Sequence, residues 1–409
     1  MEVVHERCCG IDVHKQFITA CLILSGSTGK AAKEVQTFRT MTGDLERFRD
    51  WVLEAGCTHV AMESTGVYWK PLYNLLEETD LIVLVVNAQH IKQVPGRKTD
   101  VRDCEWIADL LRHGLLQASF IPDQAQRELR ELTRYRTSLI QERAAEVNRV
   151  QKVLEGANIK LAAVTKDIMG VSAREILAEL VAGSTDAVGM AKLARGRLRA
   201  KIPELEHALV GRLRPHHQFL IAQQLAHVDA LDEAIERVSE EIERRTHPFA
   251  EDIALLDTIP GVARRTAEVL VAEIGTDMSR FPTADHLASW AGRAPGNNES
   301  GGKRRSGKTR KGSPRLRAAL VEAAHGAGLK KDTYLQAQYR HLVRRKGKKR
   351  AAVAVAHSII VIAYHVIRER RPYTDLGPDY LDRRRSEAAE QRLVAKLRAR
   401  GYTVSREAA

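Results

Sequence analysis

The chain has no Cys-x-x-Cys pair, no signal-peptide pattern and no long apolar span. Its five cysteines, an odd number, mostly lie in apolar segments typical of strands: Cys8, Cys9, Cys21, Cys57 and Cys104. This distribution argues against a disulfide framework or a cysteine zinc site, and it predicts reduced thiols in the core. Without a signal peptide or a membrane span, we expect a cytoplasmic, nucleoid-associated protein with no membrane partner.

Basic residues outnumber acidic ones. The 409 residues include 65 Lys and Arg against 52 Asp and Glu, for a net charge of +13, and 44% are apolar. This length allows two or three domains, and the apolar content argues against disorder. Because the positive surplus is clustered late in the chain, it favours a nucleic-acid partner over a merely solvated basic surface.

The first 125 residues alternate strand and helix patterns. The predicted elements, in order, are a strand hairpin over 8–24 with its turn at His14–Lys15, a strand over 34–40, a helix over 44–55, a strand over 59–63, a helix over 67–78, a strand over 81–87, and a helix over 100–111 capped by Thr99. This β-β-β-α-β-α-β-α order indicates a mixed sheet with helices on both faces, the ribonuclease-H-like topology.

Four carboxylates fall where such a fold can bring them together. Asp12 lies on the first strand and Glu63 ends the fourth, which a crossover makes parallel to the first; Asp100 and Asp103 are about one helical turn apart. Carboxylates packed this closely need cations, so the set predicts two Mg²⁺ ions about 4 Å apart that activate a phosphodiester oxygen. The alternative for Asp100 and Asp103 is a set of charges favoured by the helix dipole.

Residues 126–250 predict two long amphipathic helices around a shorter helical insert at 167–201. Apolar residues between Val228 and Ile242 recur at steps of three and four, a short heptad pattern. We expect an antiparallel coiled-coil arm that is also capable of dimerisation, with an ordinary helical bundle as the alternative.

Residues 251–370 combine helices with two basic segments, and residues 371–409 form a charged tail. Residues 255–275 resemble a helix-hairpin-helix, whose glycine turn meets phosphate. The Gly-rich segment 294–317 and the run 340–350 predict contacts with a phosphate backbone. The candidate nucleic-acid-binding residues are Lys303, Arg304, Arg305, Lys308, Arg310, Lys311, Arg315, Arg344, Arg345, Lys348 and Lys349.

Four motifs in this order carry a resemblance: GIDVHK, AMESTGVYW, KTDVRD and APGNNESGGKRRSGKTRKG. The chain resembles, over roughly residues 8–370, the DEDD transposases of bacterial insertion sequences, family one-ten, which are kin to the pilin-gene invertases. The resemblance implies a RuvC-like catalytic domain over residues 1–125, a coiled-coil arm over 126–250 and a mainly α-helical transposase domain over 251–370.

The resemblance also implies site residues, cofactors and partners. The acidic set is Asp12, Glu63, Asp100 and Asp103, and the cofactor is Mg²⁺ or Mn²⁺, expected as a pair of ions. The essential serine is best matched by Ser300, with Ser306 and then Thr309 as competitors. Members of this family are recombinases that act on donor and target DNA, guided by a structured bridge RNA, as homo-oligomers that are dimers or, in synapsis, tetramers.

The hypothesis of a serine nucleophile has two alternatives. If Ser300 attacks a phosphodiester, it forms a phosphoserine link and leaves a free 3′-hydroxyl, while Arg304, Arg305 and Lys308 neutralise the phosphate. One alternative is a RuvC-like nuclease that resolves branched DNA by metal-activated water and needs no serine. The other is a nucleic-acid-binding scaffold without catalysis.

Overall fold

The computed structural model describes residues 2–25, 31–64, 66–87, 103–294, 298–301, 303–306, 309, 312–401 and 403–404. The chain divides into two units, Met1–Pro122 and Asp123–Ala409. The division of the second unit into an arm, a transposase domain and a tail stays a prediction.

The first unit is built on a five-stranded mixed sheet in the order β3-β2-β1-β4-β5. Its strands are β1 Arg7–Val13, β2 Phe17–Ser25, β3 Ala31–Arg39, β4 His59–Glu63 and β5 Ile82–Val86. Strand β2 is antiparallel to β1 and β3, whereas β4 is parallel to β1 and β5. The predicted hairpin, the three later strands and the mixed sheet are therefore confirmed.

Helices cover both faces of this sheet. Helices α1 Thr42–Glu54 and α2 Trp69–Leu76 pack on one face, and α3 Asp103–Arg112 packs on the other. Because side chains alternate along a strand, Ile11 of β1 joins the α1–α2 core while Cys8 joins the α3 core. The predicted Thr99 cap and Asp100 lie outside the described residues.

All five cysteines are buried and free, as expected of core thiols. Burial raises the pKa of Cys8 to about 11 and that of Cys21 and Cys57 to about 12. These thiols are packing groups, since a thiol needs a lowered pKa to act as a nucleophile or metal ligand near neutral pH.

The second unit is mostly helical. Its α-helices are α4 Gln124–Gly156, α5 Leu161–Val164, α6 Val171–Ala182, α7 Ala187–Lys192, α8 Ile202–Ala208, α9 Pro215–Thr246, α10 Ala250–Asp257, α11 Arg264–Ile274, α12 Ala284–Trp290, α13 Pro314–Ala327, α14 Tyr334–Lys346, α15 Lys348–Glu369 and α16 Tyr380–Arg398. Short 3₁₀ turns occur at Gly196–Lys201, His247–Phe249 and Met278–Arg280, and β6 Asn298–Ser300 pairs with β7 Lys303–Ser306 in a hairpin.

The two longest helices, α4 and α9, pack side by side and antiparallel. Leu139 of α4 packs with Leu231 and Ile235 of α9, and the ion pair between Arg143 and Asp232 lies alongside them. The predicted pairing of two long helices is thus present, while supercoiling of the pair stays a prediction. Helices α5 to α8 form the insert, which has its own apolar core with the facing ends of α4 and α9.

The Pro260–Gly261 turn joins α10 to α11, so two helices flank a turn in the segment predicted to resemble a helix-hairpin-helix. Gly261 has a φ of +89°, and a Cβ there would lie 2.2 Å from the Ala323 carbonyl oxygen and 2.4 Å from the Ala327 nitrogen. The glycine therefore allows the turn to pack directly on α13. Phosphate binding at this turn stays a prediction.

Helix α15 corrects the statement that the sequence has no long apolar span. Within the described part of the chain, it is the one helix long and apolar enough to cross a membrane, with a mean hydropathy of 1.7. However, 56% of that apolar window is buried, and Tyr364 Oη donates a hydrogen bond of 3.0 Å to the Phe281 carbonyl. These contacts are those of a core helix of the second unit.

Candidate active site

The register of two parallel strands brings Asp12 beside Glu63. Cys8 of β1 pairs with His59 of β4, and the same register continues to Ile11 and Met62. Asp12 and Glu63 are the next residues after this last pair, one on each strand. Residues at equal register on parallel strands point to the same face, with backbones about 5 Å apart. The two carboxylates therefore lie together at the carboxyl ends of β1 and β4.

The backbone of helix α3 packs directly on the backbone of β1, because residue 10 is a glycine and has no side chain to separate them. A Cβ on Gly10 would lie 2.2 Å from the Ala108 nitrogen and 2.4 Å from the Cys104 carbonyl oxygen. Near the other end of the helix, the Val4 N–H donates a 2.9 Å hydrogen bond to the Arg112 carbonyl. Helix α3 consequently runs antiparallel to β1 and begins at the end of the sheet that carries Asp12.

Asp103 is the first described residue of α3 and is exposed. Burial raises the pKa of the adjoining Cys104 thiol, and the charges of Glu105 and Asp12 raise it further, as expected if Asp12 lies near the helix start. The structure thus brings Asp12, Glu63 and the beginning of α3 to one edge of the sheet. The fourth predicted carboxylate, Asp100, lies outside the described residues.

His14 contacts a candidate site residue, Asp12, and was not itself predicted from the sequence. Its Nε2 lies 2.9 Å from Asp12 Oδ2, at hydrogen-bond distance, while half of its side chain is exposed. The available signal was its place just after β1, two residues from Asp12. An imidazole hydrogen-bonded to a carboxylate can fix the direction in which that carboxylate presents its other oxygen.

The oxygen atoms of the Asp12 and Glu63 carboxylates are of the chemical type that a hard divalent cation binds. Carboxylate oxygens are the protein ligands that Mg²⁺ prefers, and Asp12 and Glu63 supply two of them from a rigid sheet. Within the described ranges, no group of three or more His, Cys, Asp and Glu side chains is close enough to hold a metal ion. The two-ion arrangement therefore stays a prediction.

The candidate serine lies at the tip of the β6–β7 hairpin. Ser300 ends β6 and pairs with Lys303 across a turn in which Gly301 has a φ of +59°. Glycine is favoured there because a two-residue hairpin turn needs a left-handed backbone. Ser306 pairs with Asn298 at the open end of the hairpin, so the two candidate serines stand at opposite ends of it. The segment predicted as a glycine-rich loop thus contains a hairpin.

The predicted nucleic-acid-binding residues fall into two groups. Arg344 and Arg345 end α14, and Lys348 and Lys349 begin α15, all exposed around Gly347. In the other group, Lys303 is exposed on β7, Arg315 lies in the first turn of α13, and the backbone alone is described for Arg304 and Arg305. The remaining three, Lys308, Arg310 and Lys311, lie outside the described residues.

Two family models match the chain. The model of the IS110-type DEDD transposases, described as a transposase, matches residues 9–159, and the model of the IS116/IS110/IS902 transposase family matches residues 253–340. Together they span more than half of the chain. The first match contains all four predicted carboxylates, and the second contains Ser300.

Similar proteins come from several bacteria. The pilin gene-inverting protein of Moraxella bovis is 35% identical over 123 residues, 29% of this chain, and the chain spans 38% of that protein's length. The transposase for insertion sequence element IS1111A of Coxiella burnetii is 25% identical over 335 residues, 78% of this chain and 80% of that protein. An uncharacterized 44.8 kDa protein of insertion element IS116 of Streptomyces clavuligerus is 27% identical over 338 residues, 73% of this chain and 81% of that protein.

Proposed function

Since the chain belongs to the IS110-type DEDD transposase family, we propose that it is a DNA transposase or recombinase that cuts and exchanges strands. The observation that carries this proposal is the register of β1 and β4: Asp12 and Glu63 directly follow its last pair, Ile11 and Met62, at the end of the sheet where α3 begins. The strand order and the family together support a ribonuclease-H-like fold for the first unit.

In this proposal the carboxylates Asp12, Glu63, Asp100 and Asp103 hold Mg²⁺ or Mn²⁺. The bound ions supply activation of the attacking oxygen and stabilisation of the leaving one. The protein's own contribution is placement: the sheet fixes Asp12 and Glu63, and His14 holds the Asp12 carboxylate through the 2.9 Å contact.

Ser300 is the proposed nucleophile. Its Oγ loses a proton and attacks the phosphorus, the bond to the 3′-oxygen breaks, and that oxygen leaves as a 3′-hydroxyl. The 5′-phosphate stays bound to the serine, so that another 3′-hydroxyl can attack it and restore Ser300. The bond energy is retained in the phosphoserine, and the exchange needs no ATP.

The partners proposed are donor and target DNA, a structured bridge RNA, and further copies of this chain. The exposed basic residues around Gly347, together with the exposed Lys303 of β7, support a polyanionic partner, because clustered exposed cations bind phosphate backbones. The similarity to transposases favours DNA as the substrate.

Variants of the two serines and of Asp12 test this function. With end-labelled donor DNA, the chain's bridge RNA and Mg²⁺, we expect wild-type protein to form an adduct that survives denaturing electrophoresis. Ser300→Ala and Asp12→Asn should form none while still binding DNA, and Ser306→Ala should behave as wild type. An adduct that persists in Ser300→Ala and disappears in Ser306→Ala would assign the nucleophile to the other end of the hairpin.

The two alternatives give different results in the same assay. Cleavage of branched DNA by Ser300→Ala at the wild-type rate, with no adduct in the wild type, would indicate a nuclease that uses water. Binding that needs no Mg²⁺, with no cleavage of any DNA, would indicate a scaffold.

A further inference from the structure

Arg293 is a buried cation with no anionic partner among the residues that the structure describes. Its side chain is 2% exposed, and its Nε and Nη1 have no hydrogen-bond partner among the described residues. Burying a charge costs several kcal/mol unless an opposite charge or hydrogen bonds compensate for it. Arg136 shows the usual arrangement in the same unit: it is 3% exposed, and its Nη2 lies 2.7 Å from Oε2 of the buried Glu268.

The surroundings of Arg293 add positive charge. The backbone of Ala291 and Gly292, just before it, touches Gly312, where a Cβ would lie 2.6 Å from the Ala291 carbonyl oxygen. This contact places Arg293 beside the start of α13. Burial lowers the pKa of Arg293, and the positive charge of Arg317, an exposed residue of α13, lowers it further.

The start of α13 also borders an open cavity of about 470 Å³. Arg134 and Tyr135 of α4 line it together with Arg315 of α13, and 56% of the Tyr135 side chain is exposed. The Arg315 guanidinium donates a 3.2 Å hydrogen bond to the Ser138 hydroxyl, and no carboxylate is paired with it among the described residues. The cavity is roomy enough for a nucleotide, and an exposed tyrosine beside arginines suits a base attached to a phosphate.

We propose that the start of α13 is a binding site for the backbone phosphates of a nucleic-acid strand, in which the exposed Arg317 contacts a phosphate and the buried Arg293 adds its positive charge from behind. An anion there would provide the charge that Arg293 lacks and relieve its repulsion with Arg317. The neighbouring nucleotide would occupy the cavity at Tyr135 and Arg315. The inference rests on the proposed function for the identity of the strand as DNA.

Arg293→Met tests the site, and Arg136→Met is its matched control. Removal of an unpartnered buried charge should raise the melting temperature of the free protein, whereas Arg136→Met should lower it, because the buried Glu268 would keep only its ion pair with Arg264. The Arg293→Met protein should bind a labelled 30-base-pair DNA duplex of mixed sequence about ten-fold more weakly near physiological salt. Its plot of log affinity against log salt should be flatter by up to about 0.9, the contribution of one phosphate contact.

Arg317→Gln provides a second test, because that side chain is exposed and its removal spares the core. It should flatten the same plot by a similar amount, and Arg136→Met should leave the slope unchanged. Wild-type affinity and slope in both Arg293→Met and Arg317→Gln would overturn the proposal, as would a lower melting temperature in Arg293→Met.

Parallel titrations with an RNA duplex of the same sequence separate the two sources of phosphate. If the variants lose affinity for DNA alone, or for both duplexes, the site stands as proposed. If they lose affinity for RNA alone, its assignment to DNA is overturned. All titrations are performed in EDTA. They therefore do not depend on strand cleavage, and loss of Ser300 chemistry would not change their outcome.

Discussion

The hydrogen bond between His14 and Asp12 joins an exposed ring to a carboxylate at the end of a buried strand. Residues that orient a metal-binding carboxylate typically contribute about 10- to 100-fold to activity or metal affinity, less than the ligands themselves. His14 is therefore a positioning residue in the proposed site. Its removal should affect the reaction by changing the orientation of the Asp12 carboxylate.

We expect His14→Ala to lower the rate of adduct formation by about ten-fold and to raise the Mg²⁺ concentration that gives half the maximal rate. Asp12→Asn should lower the rate to background at every Mg²⁺ concentration. Rates measured over a Mg²⁺ titration check this, with His113→Ala, at the far end of α3, as the control. An unchanged Mg²⁺ requirement in His14→Ala would mean that the ring does not act through Asp12.

Gly10 decides how closely α3 approaches the sheet, since a methyl group there would meet helix backbone at 2.2 Å. Gly10→Ala should destabilise the protein by about 2 kcal/mol or more, because backbone cannot move aside as a side chain does. Urea unfolding checks this against Gly43→Ala, since a methyl group added to Gly43 of α1 would meet no atom within 4 Å apart from its chain neighbours and the backbone of its own helix.

The Gly43→Ala control should be neutral or up to about 1 kcal/mol more stable. Equal stability of the two variants would show that α3 tolerates a wider separation from β1 than the structure has.

Individual side chains differ in how far the sequence predicts them. Asp12 and Glu63 stand out because each interrupts an apolar strand, and the strand order then brings them together. His14 and Arg293 do not stand out, because a single polar residue beside a turn has no periodic pattern. Their partners, or the lack of one, are properties of the folded chain.

Strands and helices can be predicted wherever burial imposes a pattern on the sequence. Strand β5 is a continuous apolar run whose residues contribute to the cores on both faces of the sheet, and the long helices α4 and α9 repeat apolar residues on one side. The β6–β7 hairpin has no such pattern, since its residues are polar on both faces. Its signal in the sequence is the turn glycine, Gly301, which is weaker than a buried run.

The contact between α4 and α9 allows apolar packing and surface charge to be compared. Ile235 packs with Leu139 and is only 7% exposed. The side chains of the ion pair, Arg143 and Asp232, are 32% and 49% exposed. We expect Ile235→Ala to cost about 2–4 kcal/mol of unfolding free energy, because a buried isoleucine loses contacts on truncation. Arg143→Ala should cost less than about 1 kcal/mol, since exposed ion pairs are screened by water.

Chemical denaturation of the two variants checks this comparison, and a larger loss in Arg143→Ala would contradict it. In that case the ion pairs along α4 and α9, rather than their apolar contacts, would hold the two helices together.

The proposed chemistry is divided between the two units of the chain. The carboxylates belong to Met1–Pro122, whereas Ser300 and the basic segments belong to Asp123–Ala409. A site that needs both can be completed within one copy or between two copies of the chain. Completion between copies would restrain cutting until the donor and target complexes have met.

Mixing Asp12→Asn with Ser300→Ala distinguishes the two arrangements. If a serine from one copy works with the carboxylates of another, a mixed dimer has one intact site, so an equimolar random mixture should recover about a quarter of wild-type adduct formation. If each copy completes its own site, every site in the mixture lacks one group and no adduct should form. Labelled adducts after co-purification of the two variants give the measurement, and Asp12→Asn mixed with the double variant, which must stay inactive, controls for contaminating wild type.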